Sequence, residues 1–201
     1  MQGSPAGYLA ANFTDSFCTS GQVLIGLTVN AVDQVGTCQI NGGVWGVIAQ
    51  CANPRITEDD QNAPFSYVNA RGTIVSHTLV GGQSPYLGPL CDHLRTSKHV
   101  RCDGLGRAIT GLRGKSGSRI DSLSIRCKEK AFSDPTLVNP TTVTMNNLWE
   151  SSYYPPTFSG GAAFENDCAN NEVAVGIRSH YLSGRLSSIE LRCADIATNN
   201  Q

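Results

Sequence analysis

Gly114-Lys115-Ser116 ends like a phosphate-binding loop, in which backbone amides cradle an anion and the lysine neutralises it. Such a loop needs its first glycine at position 109, which is Ile109, so nucleotide chemistry has no support there. Gly104-Leu-Gly106 fails in the same way as a dinucleotide fingerprint, lacking the third glycine and the strand-to-helix setting. His77, His93, His99 and His180 offer imidazoles for base or metal chemistry, yet none stands in a nucleophile-elbow or zinc-ligand pattern. Glu58-Asp59-Asp60 has the residue types that glycoside hydrolysis and calcium binding use, but adjacent acids on a polar loop are ordinarily solvated. The sequence thus points to no catalytic residue, no metal ligand and no cofactor.

Binding chemistry has more to work with. Sugar recognition asks for a rigid loop that presents backbone donors, an acceptor amide or carboxylate and an aromatic platform. Lys115, Ser116, Gly117 and Ser118 at one prospective hairpin tip align with His180, Tyr181, Leu182 and Ser183 at another, and Asn30 with Ala31 opens a third. These are the candidate ligand-binding residues, with Gly and Ser chosen simply for backbone shape as the plainer reading of each. The segment Trp149-Glu-Ser-Ser-Tyr-Tyr-Pro-Pro-Thr-Phe158 adds rings that either stack on sugars or plug one end of the core. The large burial energy of aromatics favours the plug.

The elements that must position these tips come from a stretch written twice. Gly117-Ser-Arg-Ile-Asp-Ser-Leu-Ser-Ile-Arg-Cys127 recurs as Ser183-Gly-Arg-Leu-Ser-Ser-Ile-Glu-Leu-Arg-Cys193, each preceded by a matched apolar run, Ala108-Ile-Thr-Gly111-Leu-Arg and Val173-Ala-Val-Gly176-Ile-Arg. Strand, turn and strand make a β-hairpin used more than once. A third copy is read from Val23-Leu-Ile-Gly26-Leu-Thr-Val29 through Asn30-Ala31 into Val32 to Ile40, which makes Cys38 the counterpart of Cys127. Alternation sends Asp121, Leu123, Ile125 and Cys127 inward and Ile120, Ser122, Ser124 and Arg126 toward solvent. An inward Asp121 must be hydrogen-bonded, because a lone buried carboxylate is costly.

Length and composition agree with many short strands. A chain of 201 residues with 21 Gly, 9 Pro and 15% charged residues supplies turn formers and few solvent-facing helices, and one all-β domain of this size is expected over 1–201. Repeat units run over about 8–52, 66–130 and 141–196. A net charge of −1 with no basic stripe argues against nucleic acid, and no run is long enough for membrane insertion. Eight cysteines without metal-ligand spacing read as disulfides in an oxidising compartment, hence a secreted protein. Equal separations pair Cys168 with Cys193 and Cys102 with Cys127; Cys18 with Cys38 and Cys51 with Cys91 complete the set, with Cys91 competing with Cys102 for Cys127 as the alternative.

The segment Gly111-Leu-Arg-Gly-Lys-Ser-Gly-Ser-Arg-Ile-Asp-Ser-Leu123 is similar to the Gly-x-Ser-Gly-x-x-Ile-Asp-x-Leu/Ile stretch of jacalin-related lectins. Three units, each with a cysteine at or near its final strand, resemble the vitelline membrane outer layer proteins. The chain departs from the first family in lacking a Gly-x-Tyr-x-Asp loop, and from the second in having only Trp45 and Trp149. Both resemblances imply a β-prism of three antiparallel four-stranded sheets. They also imply a noncatalytic role binding glycans or glycoproteins, with oligomers allowed. A structural extracellular coat protein, and an enzyme or inhibitor acting on extracellular polysaccharide or protein, are the alternatives.

Overall fold

The computed structural model describes residues 6–7, 13–32, 42–52, 55–58, 66–69, 75–76, 80–81, 95–102, 107–132, 142–156, 160–170, 172–182 and 185–195. Three long antiparallel hairpins organise them: β3 (Val23–Val32) with β4 (Gly43–Ala52), β10 (Arg107–Ser116) with β11 (Ile120–Phe132), and β14 (Glu172–Leu182) with β15 (Arg185–Asp195). Each return strand puts one aliphatic set into a common core. Val44, Val47 and Ala49 in the first hairpin match Ile120, Leu123 and Ile125 in the second and Leu186, Ile189 and Leu191 in the third, all at most 1% exposed. The step from 44 to 47 breaks the period of two because a bulge sits at Trp45, as it does at Asp121 and Ser187. That bulge explains why Ile120, expected on the solvent side, is fully buried.

Each hairpin seeds an antiparallel sheet, and each sheet borrows an outer strand from elsewhere in the chain. β2 (Phe13–Phe17) pairs β14, β9 (Arg95–Arg101) pairs β3, and β13 (Ala162–Asp167) pairs β10. The third-hairpin sheet, completed by β1 (Ala6–Gly7) on β15, has the four strands expected. The other two carry additional short strands: β7 (Val75–Ser76) and β8 (Val80–Gly81) bring the first-hairpin sheet to five. β5 (Arg55–Glu58), β6 (Ser66–Asn69) and β12 (Thr142–Glu150) bring the second-hairpin sheet to six. Together they form an all-β prism whose sheets are joined by exchange of strands.

The exchange happens at the marker glycines. A register shift precedes Gly26, Gly111 and Gly176, and the bulged residue before each turns its carbonyl toward the arriving outer strand. There Cys18, Cys102 and Cys168 donate their amides to Val175, Ile25 and Thr110, each at 2.8 Å. Glycine is required by close approach. A Cβ on Gly176 would lie 2.6 Å from the Ser16 carbonyl, one on Gly26 2.9 Å from that of Val100, and one on Gly111 inside the Asp167 carboxylate.

One residue after each borrowed strand a disulfide crosses into the next sheet. Cys18–Cys51, Cys102–Cys127 and Cys168–Cys193 all span 5.7 Å between Cα atoms, an ordinary separation. The second and third are the pairs expected. The first corrects the expected Cys18–Cys38 and Cys51–Cys91 bonds, whose other partners, Cys38 and Cys91, lie outside the described residues. The cause is the first hairpin's register. Its return strand is Gly43–Ala52, not Val32–Ile40, so Cys51 opposite Leu24 is the counterpart of Cys127 opposite Ile109 and Cys193 opposite Ala174.

The outer faces also differ from expectation. Ser122, Ser124 and Arg126 were placed toward solvent, yet all three are buried. The Ser124 hydroxyl donates to the Ser151 carbonyl at 2.9 Å, while Arg126 meets Glu150 and Asp167. Arg113 adds pairs with Glu150 at 2.8 Å and Glu165 at 3.0 Å. The third-hairpin sheet repeats the motif with Arg178 held by both oxygens of Asp15 at 2.7 Å. On the first-hairpin sheet the equivalent positions are Thr28, Gln50 and His99: Gln50 donates to Thr28, whose hydroxyl lies 2.8 Å from His99 Nδ1. Tyr154 belongs to the core and exchanges two backbone hydrogen bonds with Leu123, so this ring acts as a plug, as burial energy favoured.

The crossing glycines make a graded test. Gly111→Ala is expected to lose about 1–3 kcal/mol in urea unfolding with disulfides intact, because the new methyl displaces the Asp167 carboxylate from its pairing with Arg126. Gly117→Ala, whose Cβ position meets only Asp121 Oδ2 at 4.0 Å in ordinary van der Waals contact, is expected to stay within about 0.5 kcal/mol of the parent. Equal effects at the two positions count against the crossing as the site of the constraint.

Candidate functional site

All three hairpins turn at the same end of the prism. The described ends of the tips are Val32 opposite Gly43, Ser116 opposite Ile120 and Leu182 opposite Arg185. In the second hairpin Gly117 and Ser118 stand exposed, and the Gly117 amide donates to the Arg119 carbonyl at 3.0 Å. A small, shallow recess lies where the tips meet, lined by Val32, Gly42, Gly43, Val44 and Trp45 from the first hairpin, Arg119 from the second and Arg185 from the third.

The internal repeat explains who meets there. Gly43, Arg119 and Arg185 each stand one residue before the matched core residues Val44, Ile120 and Leu186, so they are equivalent positions of three hairpins. Gly43 has φ +128°, where glycine is favoured, and a Cβ there would lie 3.0 Å from the Ile120 carbonyl and 3.7 Å from Arg119 Nε. Its bare backbone is what lets the first hairpin sit against the second.

The floor of this end is electrostatically tense. Asp121 is 5% exposed, and burial pushes its carboxyl above the usual carboxylate range while Arg119, with Nε 3.5 Å from Oδ1, pulls the other way. Gly161, at φ +78°, stands over the other oxygen, since a Cβ there would lie 2.5 Å from Asp121 Oδ2. Arg185 is held below the usual guanidinium range, first by burial and then by the like charge of Arg119. Among the described residues, Arg119 thus lies close to the buried acid Asp121, and Arg185 close to Arg119.

None of the residues expected from sequence lines this recess. Ser116, Gly117 and Ser118 form the second tip beside Arg119, and Tyr181, half-buried, pairs with Leu186 beside Arg185. Asn30, Lys115 and His180 are threefold equivalents, each just before the second bulge of its hairpin, so they stand on three different sheets and do not converge. Asn30 does not open the first tip; it lies within β3, opposite Gly46 and Ser97. His180 packs against Phe13, ring centroids 5.8 Å apart, and Phe13 in turn lies 4.4 Å beneath Arg178. Arg119, Arg185 and Trp45, which line the recess, were not among the expected residues, although identity of the two arginines within the repeat was a visible signal.

No protein-family model and no curated protein sequence matches the chain. Solved structures do match in shape. The chain superposes over 97% of its length on 96% of Calsepa lectin, determined in complex with a biantennary N-glycan, with a TM-score of 0.55 and 14% identity. It covers 99% of a prostate-specific WGA16 glycoprotein lectin (96% of this chain, TM-score 0.51, 10% identity). It also covers 96% of frutapin, a lectin from Artocarpus incisa (96% of this chain, TM-score 0.51, 12% identity). At these identities the likeness is one of fold, and the fold is the β-prism.

Asp121 gives the end a pH signature. A carboxyl whose folded pKa is raised favours the folded state below the unfolded value of 3.8 and loses that contribution as pH rises through the folded pKa. Relative to Asp121→Asn, which stays neutral, the parent is expected to lose stability over that rise. Denaturant midpoints of both proteins from pH 3 to pH 7 measure the difference, and parallel curves contradict it.

Proposed function

We propose that this is a noncatalytic, lectin-like extracellular domain that binds glycans or glycoproteins at its hairpin-tip end. One observation carries the reading: nearly the whole chain shares the fold of three lectins, one of them solved with a glycan bound. The physics of the tip end supports it. Hydroxyl-rich ligands are held best by donors and acceptors fixed before binding, because ordering a loop on contact costs affinity. Here the tips extend from three hairpins whose far ends are linked sheet to sheet by disulfides. Those bonds also fit an oxidising compartment. We assign the binding rim to Lys115, Ser116, Gly117 and Ser118 of the second hairpin's tip and to Tyr181 of the third hairpin.

A glycan array with competition by free sugar tests the proposal. Binding is expected, and Lys115→Ala and Tyr181→Ala are each expected to weaken it several-fold, as loss of one polar or stacking contact does, at unchanged melting temperature. Unchanged binding in both variants removes the rim assignment. No binding to any glycan removes the function and returns the protein to the structural-coat alternative.

A further inference from the structure

We infer that the outer face of the third-hairpin sheet is where two copies of this chain pair, sheet against sheet, so that each dimer carries both tip ends free at its sides. The inference concerns assembly and stands whether or not the tips bind glycans.

The pseudosymmetry supplies an internal control. Counted back from the cysteine that follows each borrowed strand, Phe13, Ser97 and Ala163 are equivalent, and so are Phe17, Arg101 and Asp167, which lie opposite the marker glycines. All six are exposed, so the fold holds these positions in water on every sheet. Only β2 fills them with rings, 52% and 53% exposed. Leu182, the last residue of β14, is 50% exposed, so three of the four exposed large hydrophobics among the described residues belong to this sheet. Both rings are held in place. Phe17 Cδ1 lies 3.0 Å from where a Cβ on Gly176 would stand, and Phe13 is backed by Arg178 at 4.4 Å and His180 at 5.8 Å. A ring fixed before contact loses little freedom on docking.

The charges between the rings decide what covers them. Asp15 and Glu190 balance Arg178 and Arg192, and each acid already meets an arginine: Asp15 Oδ1 lies 2.7 Å from Arg178 Nε, and Glu190 Oε1 lies 3.6 Å from Arg192 Nη2. A twofold contact sets one face against itself, so a face with unbalanced charge repels its own copy, and this face is balanced. Little ionic surface is left to dehydrate either, since the Asp15 and Arg178 side chains are each 23% exposed, Arg192 11% and Glu190 7%. The network on the second-hairpin sheet is wetter, with Glu150 35% and Glu165 58% exposed, and docking there costs more. Aromatic residues and arginine without lysine are the composition of interface cores, and no lysine occurs in β1, β2, β14 or β15.

Spacing sets the extent of the contact. Four residues apart on one strand, Phe13 and Phe17 stand roughly 13 Å from each other, on either side of the ion-paired row. Two half-exposed phenylalanines supply roughly 200 Å² of the ~800 Å² per partner that a standard interface buries. The contact must therefore run across the row between them, and reversible pairing at micromolar concentration is expected.

Sedimentation velocity of the disulfide-intact chain over a concentration series tests the pairing. The parent is expected to show a monomer–dimer equilibrium. Phe17→Arg and Phe13→Ser install the residues that β9 carries at the equivalent positions, and each is expected to weaken association at least about tenfold at an unchanged urea midpoint. Tyr153→Ser removes the exposed ring beside the Tyr154–Leu123 bridge of another sheet and is expected to leave the dimer as it is. A parent that stays monomeric to about 1 mM overturns the inference, as does a dimer that survives both phenylalanine variants or is lost equally in Tyr153→Ser. If Phe17→Arg does not fold, Phe13→Ser decides alone. Raising salt from about 0.1 M to about 1 M is expected to leave the dimer in place, because its ion pairs close within each copy; dissociation gives the contact to charges and overturns the role of the rings. A monomeric parent that pellets with an insoluble polysaccharide, where Phe13→Ser does not, gives the face to a sugar and overturns pairing between copies.

Discussion

The structure depends on one contact made three times: a cysteine amide donating to the carbonyl of a bulged residue just before a marker glycine. Its length is 2.8 Å in every copy, and the disulfide leaving the same cysteine fixes where the outer strand must end. Because that strand belongs to one sheet and its cysteine is bonded to the next, no hairpin is complete without a neighbour. The three bonds link the first sheet to the second, the second to the third and the third to the first, which closes a ring. The aliphatic faces then have only the shared interior to fill, and the tips have only one end at which to emerge.

Closure of this ring also separates what the three sheets can do. Their inner faces are nearly interchangeable, as Val47, Leu123 and Ile189 show, because the core accepts any aliphatic residue of suitable volume. Their outer faces are not. Arginine–acid networks on two sheets give way to Thr28, Gln50 and His99 on the third, and at the tips two arginines face a glycine. Pseudosymmetry sets the frame, and its local breaking at Gly43 shapes the recess.

How much of this was legible in the sequence depended on whether a feature is local. The second and third hairpins were readable because their glycine-to-cysteine spacings, Gly111 to Cys127 and Gly176 to Cys193, differ by only one residue, and their disulfides followed. The first was misread because its tip is longer, leaving Cys38 in the place where the return strand's cysteine was sought, while Gly43–Ala52 carried the true pattern. The burial of Ser122, Ser124 and Arg126 could not be read from their own strand, since their partners Glu150, Ser151 and Asp167 lie far along the chain. The phase change at Asp121 was hidden for a related reason: a bulge is a property of two paired strands, not of one. The second tip was legible as a turn and the first was placed too early, at Asn30–Ala31, while the meeting of Arg119 and Arg185 is a consequence of ring closure.

The borrowed strand β2 has a consequence for how the protein is made. Its Asp15 meets Arg178 at a separation of 163 residues, so this strand leaves the ribosome long before the hairpin that receives it has been synthesised. Unlike a hairpin, which can pair as it emerges, the third sheet must wait for translation of residues 172–195. Throughout that interval Phe13 and Phe17 travel on an unpaired ribbon, a natural substrate for a holding chaperone and a place where oxidation of Cys18 can go astray. Yield in a heterologous host should accordingly be governed by the management of this nascent segment more than by the strength of the finished core.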